Sequence, residues 1–150
     1  MYPVNIIAQA FLSYESMSPK KLQKLCYYAQ MFYLALFNKK IINGEFEAWI
    51  HGPVNRELFY IYQGYKWTPI PKTFNNVFDL IDNNAKSVLN IVWSSFGKYN
   101  GDQLEVITHT EIPWLNARKG YLPYEPCSNV LNHDDMKIQG NKIINKMLSN

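Results

Sequence analysis

The sequence predicts an all-α fold, a single domain over residues 1–150 with six to seven helices around a central buried helix and at most a short strand pair near 46–50. Three observations carry that expectation. The stretch Ser18–Phe37 is apolar on two opposite faces at helical spacing. Residues 4–14, 77–99 and 134–148 repeat apolar side chains every three or four positions, whereas only Glu45–Ile50 alternates, and weakly. Residues that start helices stand where these patterns begin: Ser18-Pro19, Asn75-Asn76, and Asp102 with Glu105 three positions on. A chain of this length buries roughly 68–70% of its unfolded surface, so it needs no metal or disulfide to hold it.

The central helix comes first. Ser18 suits the N-cap, and Pro19 suits a first position where a missing N–H costs nothing. Leu22, Leu25, Cys26, Ala29, Phe32, Tyr33 and Leu36 share one face, and Tyr27, Met31 and Leu34 lie opposite. A helix apolar on both sides has protein on both sides. Its first turn, with Lys20, Lys21 and Lys24, reads as a solvated basic end. Ahead of it, Val4–Tyr14 reads as an amphipathic helix with Asn5 as a cap near its start and Ile7, Ala8, Phe11 and Leu12 inward. The short link through Glu15 and Ser16 makes the two helices antiparallel neighbours or sharply crossed.

After Phe37, Asn43-Gly44 signals a turn and Glu45–Ile50 a short extended segment. Pro53, after Gly52, suits the opening of a helix Val54–Gln63, with Leu58, Tyr62, Phe59 and Ile61 as inward candidates. Gly64–Phe74 has two prolines and no helical period, so it is a loop carrying aromatic side chains. The next helix is expected over Val77–Tyr99, with Leu80, Ile81, Ala85, Val88, Leu89, Val92, Trp93 and Phe96 buried and Gly97 near its end. Asp102 and Glu105 fit an acidic capping box opening a short helix to His109. Pro113 opens another, with Trp114, Leu115 and Ala117, that stops near Gly120. A Pro-containing loop follows from Leu122 to Asn129. The last helix, Asp134–Leu148, has Met136, Ile143, Ile144 and Met147 as its apolar side and is weakened by Gly140.

The search for chemistry is mostly negative. The net charge of +3 and pI near 8.8 are mild, and basic residues cluster only at Lys20, Lys21, Lys24 and at Lys39-Lys40. A solvated helix end explains them better than a phosphate-binding stripe, so no nucleic-acid partner is expected. Cys26 and Cys127 form no C-x-x-C, which points to a reduced, cytoplasmic protein. No apolar run has the length of a membrane span, and Met1–Leu12 carries no basic leader. His109-Thr110-Glu111 with Pro126-Cys127 matches part of the zinc-deaminase pattern H-x-E…P-C-x-x-C, but the second cysteine falls at Val130, which cannot bind a metal. Cys26 on an apolar stripe has a thiol that burial keeps protonated. No catalytic residue, metal ligand or cofactor site is expected. The rival reading, a hydrolase using His51 or His109 with Glu111, requires those side chains to converge in one pocket.

Three segments in order carry a resemblance: Leu22 to Gln30 (LQKLCYYAQ), Glu47 to Val54 (EAWIHGPV), and Leu104 with Thr108-His109, Pro113-Trp114 and Ala117-Arg118. Together they resemble the Panacea domain family, which includes SocA-like antitoxins and phage-associated GepA proteins. The resemblance spans about residues 4 to 122. It implies a compact, mainly helical antitoxin that binds and neutralises a protein toxin encoded beside it, and in one branch an adaptor that presents its toxin to a cytoplasmic AAA+ protease. Two positions depart from the pattern: Cys26 stands where an aliphatic residue is common, and His51 where an aromatic or basic one is common. Nothing transfers to the less characteristic segment 122–150. A homodimer and a DNA-binding regulator of its own operon stay open; the latter requires exposed basic residues on a recognition helix.

The motif residues also have a plain physical reading as packing elements: Leu22, Lys24, Leu25, Tyr27, Tyr28 and Ala29 in the central helix, Trp49 as an anchor, Gly52, Pro53 and Val54 at a bend, and His109, Pro113, Trp114 and Arg118 at the close. His109 suits a helix end, and Arg118 has Glu111 or Glu105 within reach as an ion-pair partner. Partner recognition falls to what the core leaves over. Arg56, Tyr60, Tyr65, Trp67 and Phe74 have the Tyr/Trp/Arg composition of interface hot spots, and the alternative is that this loop folds back over the core.

Overall fold

The computed structural model describes residues 1–149. Among them seven α-helices and one two-stranded antiparallel sheet run as α1 (Val4–Leu12), α2 (Pro19–Phe37), β1 (Glu47–Trp49), β2 (Gly52–Val54), α3 (Arg56–Tyr62), α4 (Asn83–Phe96), α5 (Gly101–Thr108), α6 (Ile112–Ala117) and α7 (His133–Leu148). Short 3₁₀ turns occupy Gln63–Tyr65 and Val77–Leu80. The expected mainly helical architecture with a short strand pair is what forms. Among the described residues no helix is long and apolar enough to cross a membrane.

Helix α2 is the hub, touching α1, α3, α4, α5, α7 and β2. The Ser18 side chain accepts from the Lys21 N–H at 3.2 Å, and Asn38 in the left-handed region (φ 56°) ends the helix. Both of its faces are buried, with Leu22, Leu25, Cys26, Tyr27, Tyr28, Ala29, Met31 and Phe32 wholly enclosed. Leu36, expected inward, is exposed in the last turn.

The first turn of α2 is not the solvated basic end that its lysines suggest. Lys21 and Lys24 are only 8% and 1% exposed. Their methylene stems pack among apolar neighbours while their ammonium groups reach backbone carbonyls. Lys24 Nζ donates to the Pro53 carbonyl (3.2 Å), and Lys21 Nζ donates to that of Gly97 (2.5 Å) and lies 5.1 Å from the Trp93 ring centre. Two glutamines on the same helix do similar work. Gln30 Oε1 accepts from the N–H of Ile41 (3.0 Å) and of Ile42 (2.9 Å), and Gln23 exchanges both amide bonds with the Asn55 backbone at 2.9 Å each.

Several element boundaries differ from the expected ones for local reasons. Asn5 lies inside α1, which Pro3 precedes. Pro53 does not open α3 but pairs with Ala48 across the sheet, and Asn55 caps α3 by accepting from the Leu58 N–H (3.0 Å). Only Leu58 of α3 is buried; Phe59 and Ile61 face out. The 77–99 stretch is broken at Ile81, whose extended backbone lets Asp82 cap α4 on the Ala85 N–H (2.8 Å) and leaves Leu80 exposed. The capping box sits two residues earlier than expected: Asn100 accepts from the Gln103 N–H (2.8 Å) and Gln103 accepts from that of Asn100 (2.9 Å).

Gly140 is no flaw in α7. A Cβ there would lie 2.9 Å from the Ala35 Cβ and 3.0 Å from the Met31 carbonyl oxygen, so the glycine lets α7 close on α2. Gly140→Ala gains about 1 kcal/mol of helix propensity and loses roughly 1–3 kcal/mol to overpacking. The expected outcome in urea denaturation is a net loss of about 1 kcal/mol; a more stable variant would show that the two helices part without cost.

A second buried ionisable group meets α2 one turn on from Lys24, at Tyr27 and Tyr28. Glu111, 5% exposed, accepts from Tyr27 Oη (3.3 Å to Oε1) and from Tyr28 Oη (3.1 and 3.0 Å). Burial pushes its carboxyl up to about 7 against the two hydroxyls, which favour the charge. Burial lowers the Lys24 ammonium to about 7 as well, against the pull of Glu105. Unfolded, these groups titrate at 4.5 and 10.5. Between 4.5 and about 7 the folded chain holds a proton on Glu111 that the unfolded chain has released, so this group's contribution to stability falls as pH rises. Between about 7 and 10.5 the unfolded chain holds a proton that folded Lys24 has lost, so that contribution rises with pH. The two together place a trough near pH 7 in stability against pH, with an acid limb of about 3 kcal/mol and an alkaline limb of about 5 kcal/mol. Urea unfolding across pH 4.5–10 checks it: Glu111→Gln flattens the acid limb and Lys24→Met the alkaline one; a wild-type profile that only rises would contradict the Glu111 assignment, and one that only falls the Lys24 assignment.

Candidate protein-binding surface

The surface is built outward from the turn between β1 and β2. Gly52 has φ +107°, and a Cβ on it would lie 2.7 Å from the Lys24 Cε and 2.9 Å from the Thr108 Oγ1. Both the backbone conformation and the space demand glycine. Behind the turn, Trp114 Nε1 donates to the Trp49 carbonyl (2.8 Å), and the His109 ring stacks on Trp114 at 4.0 Å and 14°. Arg118 does not pair with Glu111 or Glu105. Its guanidinium spreads over four carbonyls, Ala48 (2.8 Å), Leu122 (2.8 Å), Pro123 (3.5 Å) and Glu125 (2.6 Å), and thereby ties the post-α6 loop to β1. Pro113 is the second residue of α6, which Ile112 starts, and Val54 is buried in β2.

In front of the turn lies the first exposed patch. Arg56 grips Glu47 with two bonds (Nη2 to Oε1 2.7 Å, Nε to Oε2 3.1 Å), and Trp49 Nε1 donates to Glu47 Oε1 (2.9 Å). The Arg56 bonds, aided by that of Trp49, hold the Glu47 carboxyl below the usual carboxylate range despite partial burial. The guanidinium lies 5.4 Å from the Trp49 ring centre, Phe59 meets Trp49 edge-on at 5.1 Å, and Tyr60 meets Phe59 at 5.6 Å. Arg56 and Tyr60 thus share one aromatic patch with Trp49 and Phe59. Phe59 was expected inward; a seven-residue helix is too short for periodicity to choose its buried side.

The loop does not fold back as a whole. Ile70 does: it is buried and bridges Met17 through backbone bonds of 2.7 and 3.3 Å. Trp67 and Phe74 are left 80% and 86% exposed. Tyr65 rests 6.3 Å from Tyr62, and Phe74 has the Lys72 ammonium 5.5 Å from its ring centre. Phe74 is anchored separately, since Thr73 N–H donates to the Leu12 carbonyl (2.9 Å) and Asn75 to Gln9 (3.1 Å). Of the five side chains expected to meet a partner, all are exposed, and they fall into an Arg56–Tyr60 patch, a Tyr65–Trp67 turn and an outlying Phe74.

Between patch and turn runs an electrostatic network that composition did not reveal. Lys20 bridges Glu105 (2.8 Å) and Asp102 (2.9 Å), and His51 Nδ1 meets Glu105 Oε2 (3.2 Å). Lys20 and His51 overcome the burial of Glu105 and hold its carboxyl below the ordinary range. Burial depresses the His109 imidazole, whose Nε2 is enclosed without a hydrogen-bond partner. His51, His109 and Glu111 do not form a hydrogen-bonded set: among the described residues Glu111 is taken by Tyr27 and Tyr28, His51 by Glu105. No three His, Cys, Asp or Glu side chains among the described residues are placed to hold a metal. Three cavities meet at His51, of about 390 Å³ toward Pro126–Ser128, about 630 Å³ toward Trp67 and Asn100, and about 210 Å³ between α2 and α3.

The match to known families covers this same architecture. The family model described as antitoxin SocA-like, Panacea domain, matches residues 22–115, from the buried turn of α2 through the sheet, α3, the aromatic loop, α4 and α5 into α6. No curated protein and no solved structure matches the chain. On that match, which spans well over half of its length, the chain belongs to the SocA-like antitoxin family of Panacea domains.

Proposed function

We propose that this protein is a cytoplasmic antitoxin, one domain over residues 1–150, that neutralises a protein toxin encoded beside it by covering it and not by catalysis. The observation that carries the reading is the exposure of Trp67 and Phe74, 80% and 86%, on the loop that follows the Arg56–Tyr60 patch. Large aromatics with an arginine, left uncovered on a fold whose core is otherwise closed, have the composition of a binding hot spot. Family membership supplies the class of partner, a toxin. Against a DNA-binding role stands the burial of Lys21 and Lys24 and the pairing of Lys20 with two carboxylates, which leaves no basic face on that turn of α2.

Co-expression tests it. The neighbouring gene alone arrests growth, and this protein restores growth and co-purifies with the product while the product's cellular level stays constant, as masking requires and proteolytic delivery does not. Trp67→Ala and Phe74→Ala each weaken the complex by about 2 kcal/mol, roughly thirtyfold, without moving the melting temperature. A harmless neighbour, or one still toxic in the presence of this protein, rules the proposal out.

A further inference from the structure

The smallest of the three cavities has a chemistry that the antitoxin reading does not specify. Its walls are apolar, from Leu22, Trp49, Val54, Leu58, Phe59 and Tyr62. The ionisable side chains on its lining are the bases Lys20, Lys24, Lys66 and His51, and among the described residues no carboxylate lines it. Its volume of about 210 Å³ lies below the roughly 300–1,000 Å³ of a small-molecule pocket and suits one large side chain.

Lys66 marks the mouth, since it also lines the neighbouring cavity with Trp67. Its backbone at φ 56°, ψ −114° is the first central position of a type II′ turn, closed by the Thr68 N–H on the Tyr65 carbonyl (2.9 Å). That conformation favours glycine and strains a lysine. Among the described residues no carboxylate pairs with Lys66, whereas Lys20 across the mouth already has two.

We propose that this cavity receives a single bulky apolar side chain from the partner protein, and that acidic residues flanking that side chain on the partner's chain settle on Lys66. The proposal rests on the protein-binding reading above and names the chemistry of the segment bound. An acidic flank follows from Lys66, which no carboxylate pairs with among the described residues, because a basic flank would set like charges together at the mouth. One side chain follows from the volume.

Nine-residue peptides test it without the toxin. One carries Glu-Trp-Glu at its centre in a Gly/Ser frame, a second Glu-Ala-Glu, a third Lys-Trp-Lys, and each is titrated into the ¹⁵N-labelled full chain. The first peptide is expected to shift the amides of Leu58, Tyr62, Gln63 and Lys66. The alanine peptide binds about tenfold or more weakly, as loss of an anchor requires, and the basic peptide shifts none of them. Lys66→Glu, on an exposed turn, weakens the first peptide about fivefold or more and lets the third one bind. No shift from the first peptide, equal binding of acidic and basic peptides, or indifference to Lys66→Glu overturns the proposal. Such a failure alongside intact toxin binding leaves the antitoxin reading standing and removes this cavity from it.

Discussion

The structure depends on a helix that is buried all round and is nevertheless polar at four places. Lys21, Gln23, Lys24 and Gln30 are all at most 8% exposed, and each ends on the backbone of a neighbouring segment. Loops packed against a buried helix carry N–H and C=O groups that water cannot reach, and each one left unpaired costs roughly 1–3 kcal/mol. The side chains of α2 replace the strand ladder that these loops lack. Gln30 satisfies Ile41 and Ile42, Gln23 satisfies both backbone groups of Asn55, Lys24 takes Pro53 and Lys21 takes Gly97.

Position propagates outward from those bonds. Asn55, gripped by Gln23, caps α3 through its side-chain oxygen and holds the Glu45 carbonyl (3.0 Å) through its amide, so the start of α3 and the approach to β1 are set together. Pro53, held by Lys24, places the turn in which Gly52 gives way to the lysine. On the far side of β1, Arg118 and Trp114 fasten the carbonyls of Ala48 and Trp49. Trp49 therefore has a fixed backbone on one edge and the Arg56–Phe59 patch on the other. The proposed contact surface is rigid where it leaves α2 and irregular only beyond Tyr62.

What was legible in the sequence and what was not divides along the same line. Apolar period reports burial of carbon, so the helices, the two faces of α2 and the buried stripe of α4 from Ala85 to Phe96 could be read directly. It is silent on a lysine whose stem is buried and whose head finds a carbonyl, which is why Lys21 and Lys24 look like a solvated end. Arg118 misleads in the same way, since charge suggests a carboxylate partner while its five donors are better used on four carbonyls. Pro53 fits a helix start and a strand equally, and only the pairing with Ala48 decides. The five exposed candidates were legible from composition. The cavity beside them was not, because its walls come from α2, the sheet and α3, which are joined only by the fold.

The two classes of residue respond differently to change, and this bears on how one scaffold serves binding. Replacing Gln23 strands two buried backbone groups of Asn55, and replacing Gly52 drives a Cβ into Lys24 and Thr108, so either change is felt through the whole hub. Trp67 and Phe74 take part in no side-chain hydrogen bond among the described residues and are mostly exposed, so changing them removes little that folding requires. Lys66 goes further, since its backbone conformation would suit glycine better than lysine. A position held against local preference, whose side chain has no ion-pair partner among the described residues, points outward from the fold. The residues that mark the family and the residues that would choose a partner are therefore separable in energy: the first hold the surface in place, and the second can vary upon it without disturbing what lies beneath.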